Sequence, residues 1–427
     1  MFRSVVLVAF CLTAFCAAGR AHGNRLMISG SCGDHVNWTL NTVNASITIF
    51  GEGAMYDYPS VESVPWYDYA KNISSVNVQY GVTTIGARTF SRVHMTSLTI
   101  ANSVVSIGES AFEDCVSLES VTLPNSILEI KPFGFGGCIS LASVDFPASL
   151  KVIEVDSFYG TRALKSVTLP DSVKEIRSYA FISSGISSIY LPKSLERIES
   201  YAFSSCFQLT SVKIPESIKT IEDGVFSNSG LKSVTIPDSV VQIGNYSFDS
   251  CRNLENVAFG KNVRSIGDGA FASCESLKSI TIPKTVNHIG EGPFAECLSL
   301  KTINVEAGNV FYQSIDGVLF NMKGDSLIAF PARLGLTSYE IPDSVHSLGE
   351  LAFSGQGSLE SVTIPASVSN IGRWAFEYSS CTRVLFLGDE EPDCMMEIFD
   401  GSLVKHVHVH PTYEGEYFCE MPVIKDS

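Results

Sequence analysis

The chain has 427 residues, a formal net charge of −16 at pH 7 and a pI near 4.9, with 45% hydrophobic and 17% charged residues. The excess of acidic residues argues against a nucleic-acid-binding protein, because phosphate recognition requires clustered Lys and Arg. The apolar content is sufficient for a hydrophobic core, and Ser and Thr dominate the expected surface.

The first residues have the pattern of a secretory signal peptide. Arg3 is followed by an apolar run over residues 5–18 and then by small residues, which is the order that an export signal requires. We predict a signal peptide over residues 1–21 and a mature chain that is secreted or peripherally associated with a cell surface. The apolar run is too short to predict a membrane span, and no later segment is long and apolar enough for one.

Export would make four Asn-x-Ser/Thr sequences relevant as N-glycosylation sites, provided that the source is eukaryotic. They begin at Asn37, Asn44, Asn72 and Asn245.

A short pattern recurs along most of the chain: a small residue and Phe, often a Cys three residues later, a Leu three after that, and then a segment close to Ser-Val-Thr-Ile-Pro. The spacing of the Phe is 22 or 23 residues, with a single step of 59 residues. This period predicts a leucine-rich-repeat solenoid of about twelve coils, each burying its apolar side against its neighbours. We expect the solenoid to cover residues 77–385, with a cap at 22–76 and another at 386–427. The repeated phenylalanines are Phe90, Phe112, Phe135, Phe158, Phe181, Phe203, Phe226, Phe248, Phe271, Phe294, Phe353 and Phe376.

The segment 118–124 illustrates one coil. Leu118, Val121 and Leu123 have the spacing of inward positions on a short strand, and Pro124 ends that strand because proline has no N–H for a ladder. A second apolar pair, such as Val173 and Ile176 in a later coil, marks a returning segment that we expect to be extended or one turn of helix. The expected fold class is a predominantly β solenoid of stacked parallel strands with short returning segments.

The pattern varies in several places. The 59-residue step contains Gly317-Val-Leu-Phe320 and Leu327-Ile-Ala-Phe330 on either side of a polar turn, which predicts a β-hairpin in a long repeat at about 306–340. The coils of Phe181 and Phe226 lack the Cys and are one residue shorter, with Gly185 and Gly230 at the turn.

Six cysteines occupy one repeat position, so a disulfide or metal ladder is one interpretation. We prefer a column of buried free thiols, because Thr161, Ser184 and Ser229 occupy the same position and show that a small residue suffices. Cys394 and Cys419, in the C-terminal cap, are the pair that we expect to form a disulfide in an oxidising compartment. The six are Cys115, Cys138, Cys206, Cys251, Cys274 and Cys297.

His406, His408 and His410 alternate along a predicted cap strand and would share one face. An open zinc site is one interpretation, but no acid or thiol follows at a convincing spacing, so we prefer a solvated strand and predict no metal or cofactor. The acidic run at 389–393 is likewise interpreted as a solvated loop rather than a calcium site. The aromatic residues between 56 and 69 are interpreted as a plug for the first coil rather than a ligand site.

The repeat L-x-S-V-T-I-P-x-S-V-x-x-I-G-x-x-A-F-x-x-C over residues 77–385 resembles the BspA-like, or treponemal-type, leucine-rich repeat. The preceding segments Gly51-Glu-Gly-Ala-Met55 and Pro65-Trp66 resemble the capping strands found before such repeats. The resemblance implies an exported or surface protein of a host-associated microbe. It also implies adhesion to host matrix proteins and to other microbes.

No motif for a nucleophile, a phosphate-binding loop or a catalytic metal appears, and an open solenoid does not hold groups convergently away from water, so we predict no enzymatic activity. We expect a binding protein whose strand face contacts a protein or glycan ligand on host matrix, host cells or other microbes. The alternative is a structural or antigenic coat protein with no dedicated ligand. The expected contact positions interrupt the Ser/Thr pattern or are lysines recurring before the strands: Asp145, Lys165, Tyr190, Lys213, Lys232, Lys278, Lys301 and Asn304.

Overall fold

The structure, a computed structural model, describes residues 26–426. The predicted signal peptide lies outside the described residues. The chain forms a β-solenoid of about fifteen turns of stacked parallel strands with almost no helix, which confirms the predicted fold class. The number of turns exceeds the expected twelve because segments on both sides of the Phe repeat join the stack.

Nearly every turn carries a principal strand, and consecutive principal strands lie parallel in short hydrogen-bonded runs. The side chains alternate, so that in Ser166–Thr168 the middle Val167 is buried while Ser166 and Thr168 are exposed. The principal strands are Ser75–Val78, Ser97–Ile100, Ser120–Thr122, Ser143–Asp145, Ser166–Thr168, Ser188–Tyr190, Ser233–Thr235, Asn256–Ala258, Ser279–Ile282, Thr302–Val305, Ser338–Glu340, Ser361–Ile364, Arg383–Phe386 and Val407–Val409.

The returning segments form a second set of parallel ladders. Most of these strands are two residues long, because only the Ile and the residue before it are paired to the next turn. They are Gly53–Ala54, Val82–Ile85, Ser106–Ile107, Glu129–Ile130, Val152–Ile153, Glu175–Ile176, Arg197–Ile198, Thr220–Ile221, Gln242–Ile243, Ser265–Ile266, His288–Ile289, Ser347–Leu348, Asn370–Ile371 and Asp393–Cys394.

The turn around most of the repeated Phe residues supplies a third set of hydrogen bonds between coils. The amide of Phe181 donates to the carbonyl of Ala202, and the amides of Tyr179 and Ser183 donate to Ser200 and Ser204, all within 3.2 Å. Tyr179 and Ser183 have φ of +60° and +56°, a conformation that costs a non-glycine residue free energy. Three inter-coil bonds per turn offset that cost, and they direct the Phe ring into the core.

The Phe rings form a continuous stack along the solenoid axis. From Trp66 through Phe294 the ring centroids of successive turns are 5.1–6.1 Å apart and the rings are nearly parallel. A second stack begins at Phe330 and ends at Phe399. The break between Phe294 and Phe330 also divides the core into two hydrophobic clusters.

The break coincides with the long repeat. Tyr312–Ile315 pairs antiparallel with Val318–Asn321, which pairs antiparallel with Ser326–Ala329. The last of these strands then pairs in parallel with Ser347–Leu348. The predicted hairpin region therefore has three antiparallel strands, and its final strand starts the returning ladder of the second half.

Antiparallel strands lie at both ends of the stack. At the first end, Met27–Ser31, Val36–Asn41 and Ser46–Gly51 form an antiparallel sheet whose last strand pairs in parallel with Ser75–Val78. Two 3-10 helices, Val61–Ser63 and Tyr67–Tyr69, follow Gly53–Ala54. The predicted repeat covers residues 77–385. The strands before residue 75 and the parallel strands after residue 386 lie outside those bounds.

At the other end, Met421–Lys425 pairs in parallel with Val407–Val409, and Tyr417–Phe418 folds back against it. A disulfide joins Cys394 to Cys419 across this end. None of the helices within residues 26–426 has the length and apolarity required to span a bilayer.

Candidate binding surface

The outward side chains of the principal strands form two columns along the solenoid. Ser166 stands opposite Ser188 and Thr168 opposite Tyr190 in the strand register, so that equivalent side chains recur about every 4.8 Å. Most members are Ser, Thr or Asn, and they present hydroxyl and amide groups to solvent. We call this the strand face.

All eight residues predicted as contact positions are exposed. Asp145, Tyr190 and Asn304 lie in the second outward column, opposite Thr122, Thr168 and Thr281. Lys213 holds the equivalent sequence position in a coil whose principal segment has no assigned strand. The four recurring lysines, Lys165, Lys232, Lys278 and Lys301, precede their strands and border the same face.

The charged groups of this face differ in their partners. Lys278 Nζ lies 3.5 Å from a carboxylate oxygen of Glu255. Within residues 26–426 no side-chain partner is found for the ammonium groups of Lys213, Lys232 and Lys301. These three lysines are therefore available to an external ligand, in a chain whose net charge is strongly negative.

The strand face ends in a polar cluster near the C-terminus. His408 Nδ1 donates to Asp426 Oδ1 at 2.7 Å, and Arg383 donates to the other carboxylate oxygen at 2.9 Å. The hydrogen bond from His408, together with the nearby charges of His408 and Arg383, lowers the pKa of Asp426. Asp426 is eighteen residues from His408, so strand spacing alone did not predict this contact.

The three histidines of the predicted cap strand are arranged as alternation requires, with Val407 and Val409 buried between them. His410 bonds Thr412, while His408 bonds Asp426. In the described part of the chain, three metal-ligating side chains come together only at Glu391, Cys394 and Cys419. Both of those sulfurs are held in the disulfide.

The six cysteines of the repeat are free and fully buried, as the preferred interpretation predicted. Each thiol contacts the carbonyl oxygen of the Phe one turn earlier; Cys251 Sγ, for example, lies 3.1 Å from the oxygen of Phe226. Burial raises the pKa of Cys251 to about 11 and that of Cys297 to about 12. The column is therefore a part of the core and contributes no reactive group to the surface.

The N-terminal aromatic residues divide between the core and the surface. Trp66 is fully buried and stacks on Phe90 with a centroid distance of 5.5 Å. Tyr67 and Tyr69 are exposed, and the exposed Tyr56 donates its hydroxyl to Asp34. Trp66 thus extends the ring stack by one turn, while Tyr56, Tyr67 and Tyr69 lie at the surface.

The four possible glycosylation sites also differ. Asn37, Asn44 and Asn72 are exposed, whereas Asn245 is half-buried. The side-chain oxygen of Asn245 accepts a hydrogen bond from the amide of Asp268 at 2.9 Å. Asn245 therefore already has a role in linking two coils.

A recess of about 300 Å³ next to Lys165 has no counterpart among the sequence predictions. It lies at the shortened coil of Phe181, and Gly185 is among its lining residues. Finding it requires the alignment of three consecutive coils, since Arg162 and Phe207 on its two sides are 45 residues apart in the sequence.

Comparison with known proteins gives a family and a fold. The family model for the BspA type leucine-rich repeat region matches in six copies, over residues 60–186, 129–254, 174–301 and 328–407. A leucine-rich repeat protein from Bacteroides ovatus ATCC 8483 shares 24% identity and a TM-score of 0.55, over 92% of this chain and 99% of that one. No curated protein matches the chain.

Two further solved structures have lower TM-scores. A leucine-rich cell surface protein from Faecalibacterium prausnitzii A2-165 is 22% identical with a TM-score of 0.40, over 90% of this chain and 89% of that one. The pneumococcal vaccine antigen PcpA is 18% identical with a TM-score of 0.39, over 90% and 87% of the two chains.

Proposed function

Because the chain belongs to the BspA-type leucine-rich repeat family, we propose that it is a secreted or cell-surface binding protein that adheres through its strand face. The ligand is a protein or glycan of host matrix, host cells or other microbes. The observation that carries the proposal is the availability of Lys213, Lys232 and Lys301 on a regular polar face, where no carboxylate of the described residues pairs with them.

The repeated geometry supports adhesion by several weak contacts acting together. Equivalent side chains lie one strand spacing apart along many turns, so a long ligand can engage several positions at once. An ammonium group on this face contributes little by itself, since exposed ion pairs are worth about 0–1 kcal/mol. Linked contacts on one rigid scaffold convert such small contributions into useful affinity.

The proposal is tested by reversing two charges on the strand face. The double variant Lys232→Glu, Lys301→Glu should bind more weakly than the wild type to surfaces coated with matrix proteins such as fibronectin, laminin or collagen. Its melting temperature should stay unchanged, because both side chains are exposed.

The matched control is Lys151→Glu, Lys219→Glu, which introduces the same change of net charge at exposed positions before returning strands. Full adhesion of the control with loss in the first variant supports the strand face. Equal adhesion of all three proteins would exclude that face, and failure of the wild type to bind any coated surface or neighbouring cell would favour a coat protein without a dedicated ligand.

A further inference from the structure

The recess at Gly185 combines a shortened coil, two nearby cations and an aromatic residue. No other turn of the regular repeat has this combination in its sequence. The coil of Phe181 is one residue shorter than its neighbours, and Gly185 takes up the difference. A Cβ at position 185 would overlap the carbonyl oxygen of Arg162 and would lie 3.2 Å from Lys165 Nζ. Only glycine allows this close approach, and the recess lies beside it, lined by residues of the coils on either side.

Two cations border one side of the recess. Lys165 Nζ donates to the carbonyl oxygen of Arg162 at 3.2 Å, which holds the ammonium group over the recess. Neither Arg162 nor Lys165 has a carboxylate partner within residues 26–426, whereas Arg252, two coils beyond the recess, pairs with Glu275 at 3.3 Å. Two adjacent cations without a counter-ion are a local exception in a chain of net charge −16.

An exposed aromatic ring borders the other side. Phe207 is 60% exposed, although the repeated phenylalanines are almost fully buried. Ser183 and Gln208 complete the lining with polar groups. A recess of about 300 Å³ is at the lower end of the range for small-ligand sites, which typically combine an apolar surface with a few polar groups.

We propose that this recess binds a single acidic sugar unit of a glycan. Arg162 and Lys165 contact the carboxylate or sulfate group, since charge-assisted hydrogen bonds to an anion are the strongest that these side chains make. The ring of Phe207 packs against the C–H face of the sugar, and the polar lining bonds its hydroxyls. An acidic peptide would use the cations but would gain little from the flat aromatic ring, so the geometry favours the saccharide.

The coil of Phe226, which is also shortened and also carries a glycine at the turn, provides an internal comparison. Gly230 holds the equivalent position, and a Cβ there would overlap the carbonyl oxygen of Phe207. In the coil before Gly230, Phe207 and Thr210 occupy the sequence positions that Arg162 and Lys165 occupy in the coil before Gly185. The same backbone geometry thus occurs twice, but only the first copy carries the two cations that recognise an anion.

The site rests on the proposed function, because it assigns a ligand class to a binding protein, but its test does not depend on adhesion. The full mature chain is titrated in solution at low salt with a hyaluronan hexasaccharide, which alternates glucuronic acid with N-acetylglucosamine. Chitohexaose is the neutral counterpart, a heparin hexasaccharide provides sulfate, and hexaglutamate is the acidic peptide. Calorimetry or chemical-shift changes give the dissociation constants.

We expect at least tenfold tighter binding of one of the two acidic saccharides than of chitohexaose or hexaglutamate. Arg162→Ala and Lys165→Ala should each weaken that binding, and the double variant should weaken it at least tenfold. Phe207→Ala should weaken it too, while Arg252→Ala should not. All four side chains are exposed, and thermal melts verify that the variants are folded.

Three results would overturn the assignment: no binding of either acidic saccharide, equal binding of chitohexaose, or tightest binding of hexaglutamate. Equal loss in Arg252→Ala would also overturn it, because it would reveal general attraction to positive charge. Loss of matrix adhesion in the Lys232 and Lys301 double variant, with saccharide binding intact, would separate the strand face from this recess.

Discussion

The ring of Phe248 lies 5.3 Å from the ring of Phe271, and the planes of the two rings differ by only 2°. The two residues are 23 positions apart in sequence, so this contact joins equivalent positions of two successive coils. Each ring is fully buried and packs on the ring before and after it. The stability of any coil therefore depends on its two neighbours.

The stack makes a central phenylalanine sensitive to truncation. Phe203 packs between Phe181 and Phe226 at centroid distances of 5.5 and 5.8 Å. Phe203→Ala should lower the free energy of unfolding by about 3–5 kcal/mol, the usual cost of replacing a buried Phe by Ala. Chemical denaturation measures the loss, and Phe207→Ala, at an exposed position four residues away, should change it little. Similar stability in the two variants would contradict the role of the stack.

The buried thiols should be unreactive in the native protein. Burial raises the pKa of Cys206 to about 11 and that of Cys297 to about 12, so the reactive thiolate is scarce at pH 8. We expect no native-state reaction of the eight free cysteines within residues 26–426 with Ellman's reagent. All eight should react once guanidinium chloride unfolds the chain. Rapid labelling under native conditions would contradict the buried column.

A partly buried carboxyl group should make stability depend on pH. Burial and the nearby Asp249 and Glu275 raise the pKa of Glu296. Since its folded-state pKa lies above the unfolded value, its favourable contribution is complete below the unfolded pKa and is lost as pH rises through the folded pKa. Glu296→Gln should therefore raise the melting temperature at pH 7 and change it little at pH 4.

The control for this prediction has the opposite sign. A hydrogen bond and ion pair with Lys261 lower the pKa of Asp238, so its contribution is present above the unfolded pKa and is lost as pH falls through the folded pKa. Asp238→Asn should slightly lower the melting temperature at pH 7. If both substitutions shifted the melting temperature in the same direction at pH 7, the environments assigned to Glu296 and Asp238 would be wrong.

The disulfide between Cys394 and Cys419 should stabilise the C-terminal end. Its 25-residue separation corresponds to about 3.5 kcal/mol of lost entropy in the unfolded chain. Replacing both residues by Ser should lower stability to that extent, and calorimetry with and without dithiothreitol measures it. Reductant should destabilise the wild type and leave the double variant unchanged, because the remaining described cysteines are free. An equal effect of reductant on both proteins would exclude this explanation.

Much of the coil could be predicted from sequence because one period determines it. The inward Val121 and Leu123 are buried as period-two alternation requires. The sequence does not distinguish an extended from a helical returning segment, since two apolar residues three apart, such as Val173 and Ile176, fit either structure. The structure resolves it as a two-residue strand, Glu175–Ile176, held by its neighbours.

Other features could not be predicted because they depend on contacts between coils. The left-handed conformation of Tyr179 has no local sequence signal, since such positions usually favour glycine or asparagine. It is stabilised by the amide hydrogen bond to the following turn. The contact of His408 with Asp426 and the recess at Gly185 likewise require the alignment of separate turns.

The antiparallel strands at the two ends have an evolutionary consequence. Tyr417–Phe418 and the first antiparallel sheet occupy the terminal edges, where unpaired backbone would otherwise invite another chain to add on. Whole coils can therefore be gained or lost between these ends, 23 residues at a time, without exposing a new unpaired strand edge. A longer or shorter homologue would keep the same two end segments and differ in the number of strand-face positions that it offers to a ligand.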